Sequence, residues 1–375
     1  MDLSFRLNPE ILIGADTLSM AGTVATRYGR RIMVAADHRL DAVSVTRLKE
    51  VLEDSGLSAI IFDGIEENSS VEMAENIVDL ANAAHCDAII GFGGQKAQVI
   101  ARMAAIMSPM KITAFELLDG RSFENKFLPF LSIPTEGTGA FSFTEHFLVV
   151  DPRTRLVKSI RFIDNLHASV IIDCNLFKFL EDSNSAAFVF EGFFSAVEAY
   201  CSSAANFLSD ALLERAINFY AKLIKGAASG INAETFAQAG FLTSLGASAS
   251  SPGIGSALAA AINARCPAGK PLCATALFPV IAARLSGARP EKMARVASFL
   301  SNTKATSVAE AAAASVDAIK KSMDALNVPS SLKEYNLSLD KMVASAEAAR
   351  NLEITANSPW TVSEEEVFNI LKEIL

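Results

Sequence analysis

The stretch Cys86–Ala101, CDAIIGFGGQKAQVIA, decides how the first half of the chain is understood. An apolar run leads straight into glycines and then into apolar residues at helical spacing. Strand, glycine turn and helix in that order suit a phosphate group. Glycines let the backbone approach it, and the helix N-terminus offers unpaired N–H groups and the positive end of its dipole. Gly91, Gly93 and Gly94 serve equally well in a tight strand-to-helix turn that holds no ligand.

The flanking sequence repeats the same alternation. RRIMVAAD (30–37) is a compact apolar run ending in an acid, and VTRLKEVLEDSGL (45–57) has helical spacing and a glycine stop. SAIIFDGI (58–65) is strand-like, and VEMAENIVDLANAAHC (71–86) is helical. KITAFELL (111–118) and FLPFLSIPT (127–135) are expected as further strands. Repeated strand–helix–strand units predict a Rossmann-like parallel sheet covered on both faces. Beyond Cys174 the character changes. AVEAYCSSAANFLSDALLERAINFYAKLIKG (196–226), GIGSALAAAINARC (253–266) and TSVAEAAAASVDAIKKSMDALNVP (306–329) are all helical in spacing. The expected organisation is an α/β domain over 1–174 and an all-helical domain over 175–375.

Composition narrows the function. The chain has 375 residues, 51% hydrophobic and 20% charged, which fits two globular domains. A net charge of −9 leaves no basic surplus to neutralise phosphates, so neither nucleic acid nor an anionic membrane is an expected partner. MDLSFRLNPE lacks a basic and an apolar signal region, and the five cysteines form no CxxC pair; a cytoplasmic protein with reduced thiols is expected. PLCATALFPVIAARL (271–285) is short for a membrane span and interrupted by Pro279, so it is expected in a core.

Two further segments bear on a nucleotide site. Asp37 ends the strand 30–37, where an acid accepts ribose hydroxyls or simply caps the following helix. SIPTEGTG (132–139) supplies Thr135 and Thr138 after another strand.

Taken together, ILIGADTLSMAG (11–22), the unit 51–94, LSIPTEGTGAFSFTEHFLVVDPRTRLVKSI (131–160), FSAVEAYCSSAANFLSDALLERAINF (194–219), ALFPVIAARLSGARPEKMARVA (276–297) and NSPWTVSEEEVFNILKEIL (357–375) resemble the iron-containing alcohol dehydrogenase family, which shares its two-domain plan with dehydroquinate synthases. The resemblance implies an N-terminal domain binding NAD or NADP and a helical domain holding a divalent metal. It also implies hydride transfer with a small alcohol or aldehyde, and a dimer. At the implied cofactor positions stand Asp37, Gly93, Gly94, Thr135, Thr138 and Lys158. Gln95 and Gln98 replace a usual Ser and Asp, Ala101 a usual Lys, and Phe92 a glycine. Glu136 lies near the expected phosphates, which its charge repels, and Phe141 stands near a usual Glu.

The family's metal rests on one Asp and three His, and the matching positions here are Glu191, Ser195, Ser256 and Lys270, with Ala260 where a further His often lies. The four His are at 38, 85, 146 and 167, all before the helical domain. Catalytic transition-metal sites draw on imidazole or thiolate, so neither iron nor zinc is expected. Three functions follow. One is an oxidoreductase in which the Lys270 ammonium takes over the metal's polarising role, with Glu191 beside it and Ser195 and Ser256 on the substrate oxygen. Another is a non-catalytic binding, regulatory or assembly subunit, in which a Glu191–Lys270 ion pair and Phe92, Phe141, Phe193 and Phe194 fill a vacated cleft. A third is a lyase or isomerase using Lys270 or Glu191 as general base.

Overall fold

The apolar runs of the first half form a six-stranded parallel sheet in a computed structural model of the chain. The structure describes residues 5, 7, 9–66, 70–110, 112–121, 127–137, 139, 142–144, 146–161, 167–181, 184–301 and 305–375. In chain order the first elements are β1 (Glu10–Gly14), α1 (Ala21–Ala25), β2 (Arg31–Asp37), α2 (Ala42–Asp54), β3 (Ser58–Ile65), α3 (Met73–Ala83), β4 (Ala88–Gly93) and α4 (Gln95–Met107). Then come α5 (Ala114–Leu118), β5 (Phe130–Pro134), β6 (His146–Asp151), β7 (Leu156–Arg161) and β8 (His167–Asp173). The strand order is β1-β8-β5-β4-β2-β3, with β6 and β7 in a separate two-stranded sheet.

The central strands β4 and β5 are buried along their whole length, which explains their unbroken apolar runs. Met33, Ile89 and Phe130 of the sheet pack with Ile77, Ile100, Met103 and Leu117 of the helices in one buried cluster. Each such side chain contributes about 1.5–3 kcal/mol on removal from water.

The α-helices that follow among the described residues are α6 (Ser185–Cys201), α7 (Phe207–Gly226), α8 (Ala233–Ser250), α9 (Ile254–Asn263), α10 (Lys270–Ala288), α11 (Pro290–Leu300), α12 (Val308–Ala325), α13 (Leu339–Arg350) and α14 (Glu364–Glu373), with no strand between them. The chain divides into two compact units. The first comprises 1–138, 145–154 and 160–178, and the second comprises 139–144, 155–159 and 179–375.

Two local expectations need correction, and a third holds for burial but not for length. Residues 114–118 are helix α5 and not a strand, because the Thr113 side chain accepts from the Glu116 N–H while the Glu116 carboxylate accepts from the Thr113 N–H, a reciprocal cap. The helical spacing over 196–226 is broken between α6 and α7. Asn206 there accepts from the N–H groups of Leu208 and Ser209 and so starts a new helix. The apolar stretch at 271–285 belongs to a helix of 19 residues, long and apolar enough to cross a membrane by length and composition. Its residues from Cys273 through Leu277, Phe278 and Ile281 to Leu285 are buried within the second unit, the core position expected of them.

Candidate functional site

In the first unit, the chain leaves β2 for β3 on one side and returns to β4 on the other, so the carboxyl ends of β2 and β4 flank a topological switch point. Asp37, the last residue of β2, is 4% exposed. The Arg39 guanidinium grips it, Nε donating to Oδ1 at 3.1 Å and Nη2 to Oδ2 at 2.8 Å, and the Arg39 N–H adds a bond at 3.0 Å. Burial pushes the Asp37 carboxyl up, but the bonds from Arg39 and the Gly94 N–H together hold it below the usual carboxylate range. Gly93 sits at φ +141°, and a Cβ there would meet the Asp37 Cβ at 2.4 Å, so β2 and the glycine turn approach more closely than any side chain permits.

Glu136 follows β5 and reaches the start of α4. Its Oε2 accepts from the Gln95 N–H at 3.2 Å, and its Oε1 accepts from Arg39 Nη2 at 2.9 Å. Thr135 is buried and donates its N–H to the Gly93 carbonyl at 3.1 Å. Gln98 faces inward: Nε2 donates to the carbonyls of Gly91 (2.8 Å), Ile133 (3.2 Å) and Gly93 (3.3 Å), and Oε1 accepts from Ser132 Oγ at 2.7 Å. That amide braces the turn from behind. Phe92 is fully buried within β4. The structure thus brings together Asp37, Gly93, Gly94, Gln95, Gln98 and Thr135. Lys158 lies on β7, in the second unit. Thr138 and Phe141 lie outside the described residues.

In the second unit, α6 carries Glu191, Ser195 and Glu198 at spacings of four and three, which puts all three on one face. Lys270 opens α10, and its Nζ stands 2.9 Å from Glu191 Oε1, each side chain 19% exposed. Phe193 and Phe194 of α6 are ordinary core, each with its ring centroid 5.2 Å from that of Phe278 on α10.

Ser256 is drawn to a different acid. Glu198, 2% exposed, accepts from the Gly255 N–H (2.6 Å), the Ser256 N–H (2.8 Å) and the Ser256 hydroxyl (2.6 Å). The two N–H groups are unpaired first-turn donors of α9, so Glu198 caps that helix from a neighbouring one. Burial nevertheless pushes the Glu198 carboxyl above its usual range, the hydrogen bonds it accepts offsetting only part of the effect. Sequence reasoning on the family positions passed over Glu198, although a lone acid three residues after Ser195 in an apolar helix signals a buried carboxylate needing donors. Ala260 is half-buried on α9. At the first turn of α10, the Cys273 thiol donates to the Ala268 carbonyl at 3.6 Å, and the neighbouring Cys273 holds the Cys266 thiol down to about 6 against the opposing effect of its burial.

Residues 8–173 match the family model described as iron-containing alcohol dehydrogenase, and residues 188–375 match that of the Fe-containing alcohol dehydrogenase family, C-terminal. The chain is 24% identical over 369 residues to 1,3-propanediol dehydrogenase of Citrobacter freundii, covering 96% of this chain and 95% of that one. Its fold is similar to the crystal structure of 1,3-propanediol oxidoreductase, with a TM-score of 0.91 at 22% identity and all of both chains covered. It is also similar to that of sulfoacetaldehyde reductase from Bifidobacterium kashiwanohense in complex with NAD+, with a TM-score of 0.84 at 16% identity, covering 100% of this chain and 99% of that one.

Proposed function

The chain belongs to the iron-containing alcohol dehydrogenase family, and from that premise we propose that it is a member without metal-dependent hydride transfer, acting as a binding, regulatory or assembly subunit. The carrying observation is the ion pair of Lys270 Nζ with Glu191 Oε1 at 2.9 Å. Both residues stand at positions that the resemblance gives to metal ligands. A protonated lysine has three donors and no lone pair to offer a cation. Ser256 at a third such position donates its hydroxyl to Glu198, and Ser195 at the fourth is a neutral hydroxyl. No imidazole follows His167 in the sequence. This donor set fits neither iron nor zinc.

A second reading rests on the exposure of the same pair. Each side chain keeps 19% of its surface open, so the ammonium is not sealed away. It would then polarise a small aldehyde's carbonyl and stabilise the alkoxide as NADH or NADPH delivers hydride, with no metal. The 1,3-propanediol and sulfoacetaldehyde relatives suggest a short polar alcohol or aldehyde as substrate. In either form the resemblance suggests a homodimer.

Turnover and metal content decide between these readings. The chelator-treated protein is assayed with NADH and NADPH against short aldehydes, before and after loading with iron or zinc, and metal is counted by mass spectrometry. The subunit reading expects no turnover and no stoichiometric metal. Metal-independent turnover abolished by Lys270→Met would replace it with the second reading. One metal per chain with metal-dependent turnover would sink both.

A further inference from the structure

We infer that Glu136 is a built-in occupant of the anion position at the N-terminus of α4, so that the glycine turn of the first unit excludes phosphate-bearing nucleotides. A strand that ends in glycines before a helix presents N–H groups and a positive dipole end, which recruit an anion. Here the anion is already present in the chain. Glu136 Oε2 accepts from the first N–H of α4, that of Gln95, at 3.2 Å. Gly94 leaves the space this requires, because a Cβ at Gly94 would meet Glu136 Oε2 at 2.4 Å. The absence of a side chain that elsewhere admits a phosphate therefore admits this carboxylate.

Arg39 locks the arrangement. One guanidinium bridges Glu136 Oε1 at 2.9 Å and Asp37 Oδ2 at 2.8 Å. Alone, a part-exposed ion pair of this kind contributes little. Here Arg39 also donates its Nε to Asp37, and the backbone N–H groups of Arg39 and Gly94 reach the same carboxylate. The acid at the end of β2, the glycine turn and the residue after β5 are thus tied into one closed network. An incoming diphosphate would have to displace Glu136 and would meet its negative charge at close range. A nucleoside without phosphates would not meet that repulsion.

The test is calorimetric titration of ADP and adenosine into the full-length chain, its Glu136→Ala and Glu136→Gln variants, and Glu50→Gln as a control for net charge. Removing a like charge a few ångströms from a diphosphate is expected to tighten ADP binding by at least about tenfold in Glu136→Ala. Glu136→Gln should move the same way, adenosine should be unchanged, and Glu50→Gln should match the wild type. Equal ADP affinity in wild type and variants overturns the inference, whether that affinity is tight or undetectable. If both Glu136 variants misfold, the wild type decides: adenosine bound at least as tightly as ADP supports the inference, and ADP bound tenfold more tightly overturns it. Turnover plays no part here, so the outcome is separate from that of the proposed function.

Discussion

Lys270 and Glu191 hold each other at 2.9 Å across the junction of α10 and α6, with four-fifths of each side chain removed from water. Breaking such a pair from one side leaves a charge short of its partner, which costs more than the pair contributes. Lys270→Met is expected to lower stability by about 1–3 kcal/mol, the remaining exposure keeping it below the cost of a sealed pair. Glu191→Leu combined with Lys270→Met should recover at least half of that loss. Urea unfolding of the two variants and the wild type provides the comparison. A neutral Lys270→Met would mean the pair is only a solvated contact.

Glu198 makes a prediction about pH. Its three donors all point at carboxylate oxygens, so Glu198→Gln turns an amide NH2 toward a backbone N–H and should cost about 1–3 kcal/mol. The folded carboxyl sits above its ordinary value of 4.5 because of burial. The native state therefore holds the proton more tightly than the unfolded chain. Its contribution to stability is fully present below 4.5 and is lost as pH rises through the folded value. The deficit of Glu198→Gln should accordingly be largest in acid and shrink toward neutrality. Thermal unfolding of both proteins across that range would show it, and a deficit growing with pH would contradict the assignment.

Much of this was legible in the sequence, for reasons that differ by element. Strands β2, β4 and β5 announce themselves because strands buried on both faces carry unbroken apolar runs. The pairing of Glu191 with Lys270 was expected from opposite charges at matched family positions, and the pair forms. Residues 114–118 were misjudged because five apolar-rich residues have no period to speak of, and the Thr113–Glu116 cap outweighs strand propensity. The grip of Arg39 on Asp37 and Glu136 was hidden, since 97 residues separate Arg39 from Glu136 and no local pattern encodes that contact. Ser256 was assigned alongside Glu191, but Glu198, two helical turns further along α6, has the geometry to reach it.

At Gly192, α6 packs directly against Tyr220 of α7. A Cβ there would lie 2.3 Å from the hydroxyl and 2.6 Å from Cζ of Tyr220, itself 1% exposed. A packed interior cannot absorb that overlap without shifting a helix. Gly192→Ala should destabilise the chain by about 1–3 kcal/mol. Adding Tyr220→Phe removes the nearer clashing atom and should return part of the loss. The midpoint of urea unfolding reads both effects, and an unaffected Gly192→Ala would show that α6 and α7 have room to part.

Cys266 offers a chemical readout next to Lys270. The neighbouring Cys273 pulls its thiol to about 6, against burial, with a further contribution from the Ala268 N–H. Cys273, fully buried, is pushed upward by its interaction with Cys266 and by its own desolvation, and its thiol donates to the Ala268 carbonyl at 3.6 Å. These opposite shifts favour thiolate at Cys266 over Cys273, and thiolate is the form that reacts with iodoacetamide. Alkylation at Cys266, followed by peptide mass spectrometry, should rise with a midpoint near 6, slowly because only 6% of the residue is exposed. Cys273→Ala removes that neighbouring thiol and should move that midpoint up toward the ordinary thiol value of 9.0. If wild-type Cys266 already titrates near 9.0, the two sulfurs do not interact in solution and the first turn of α10 is arranged differently.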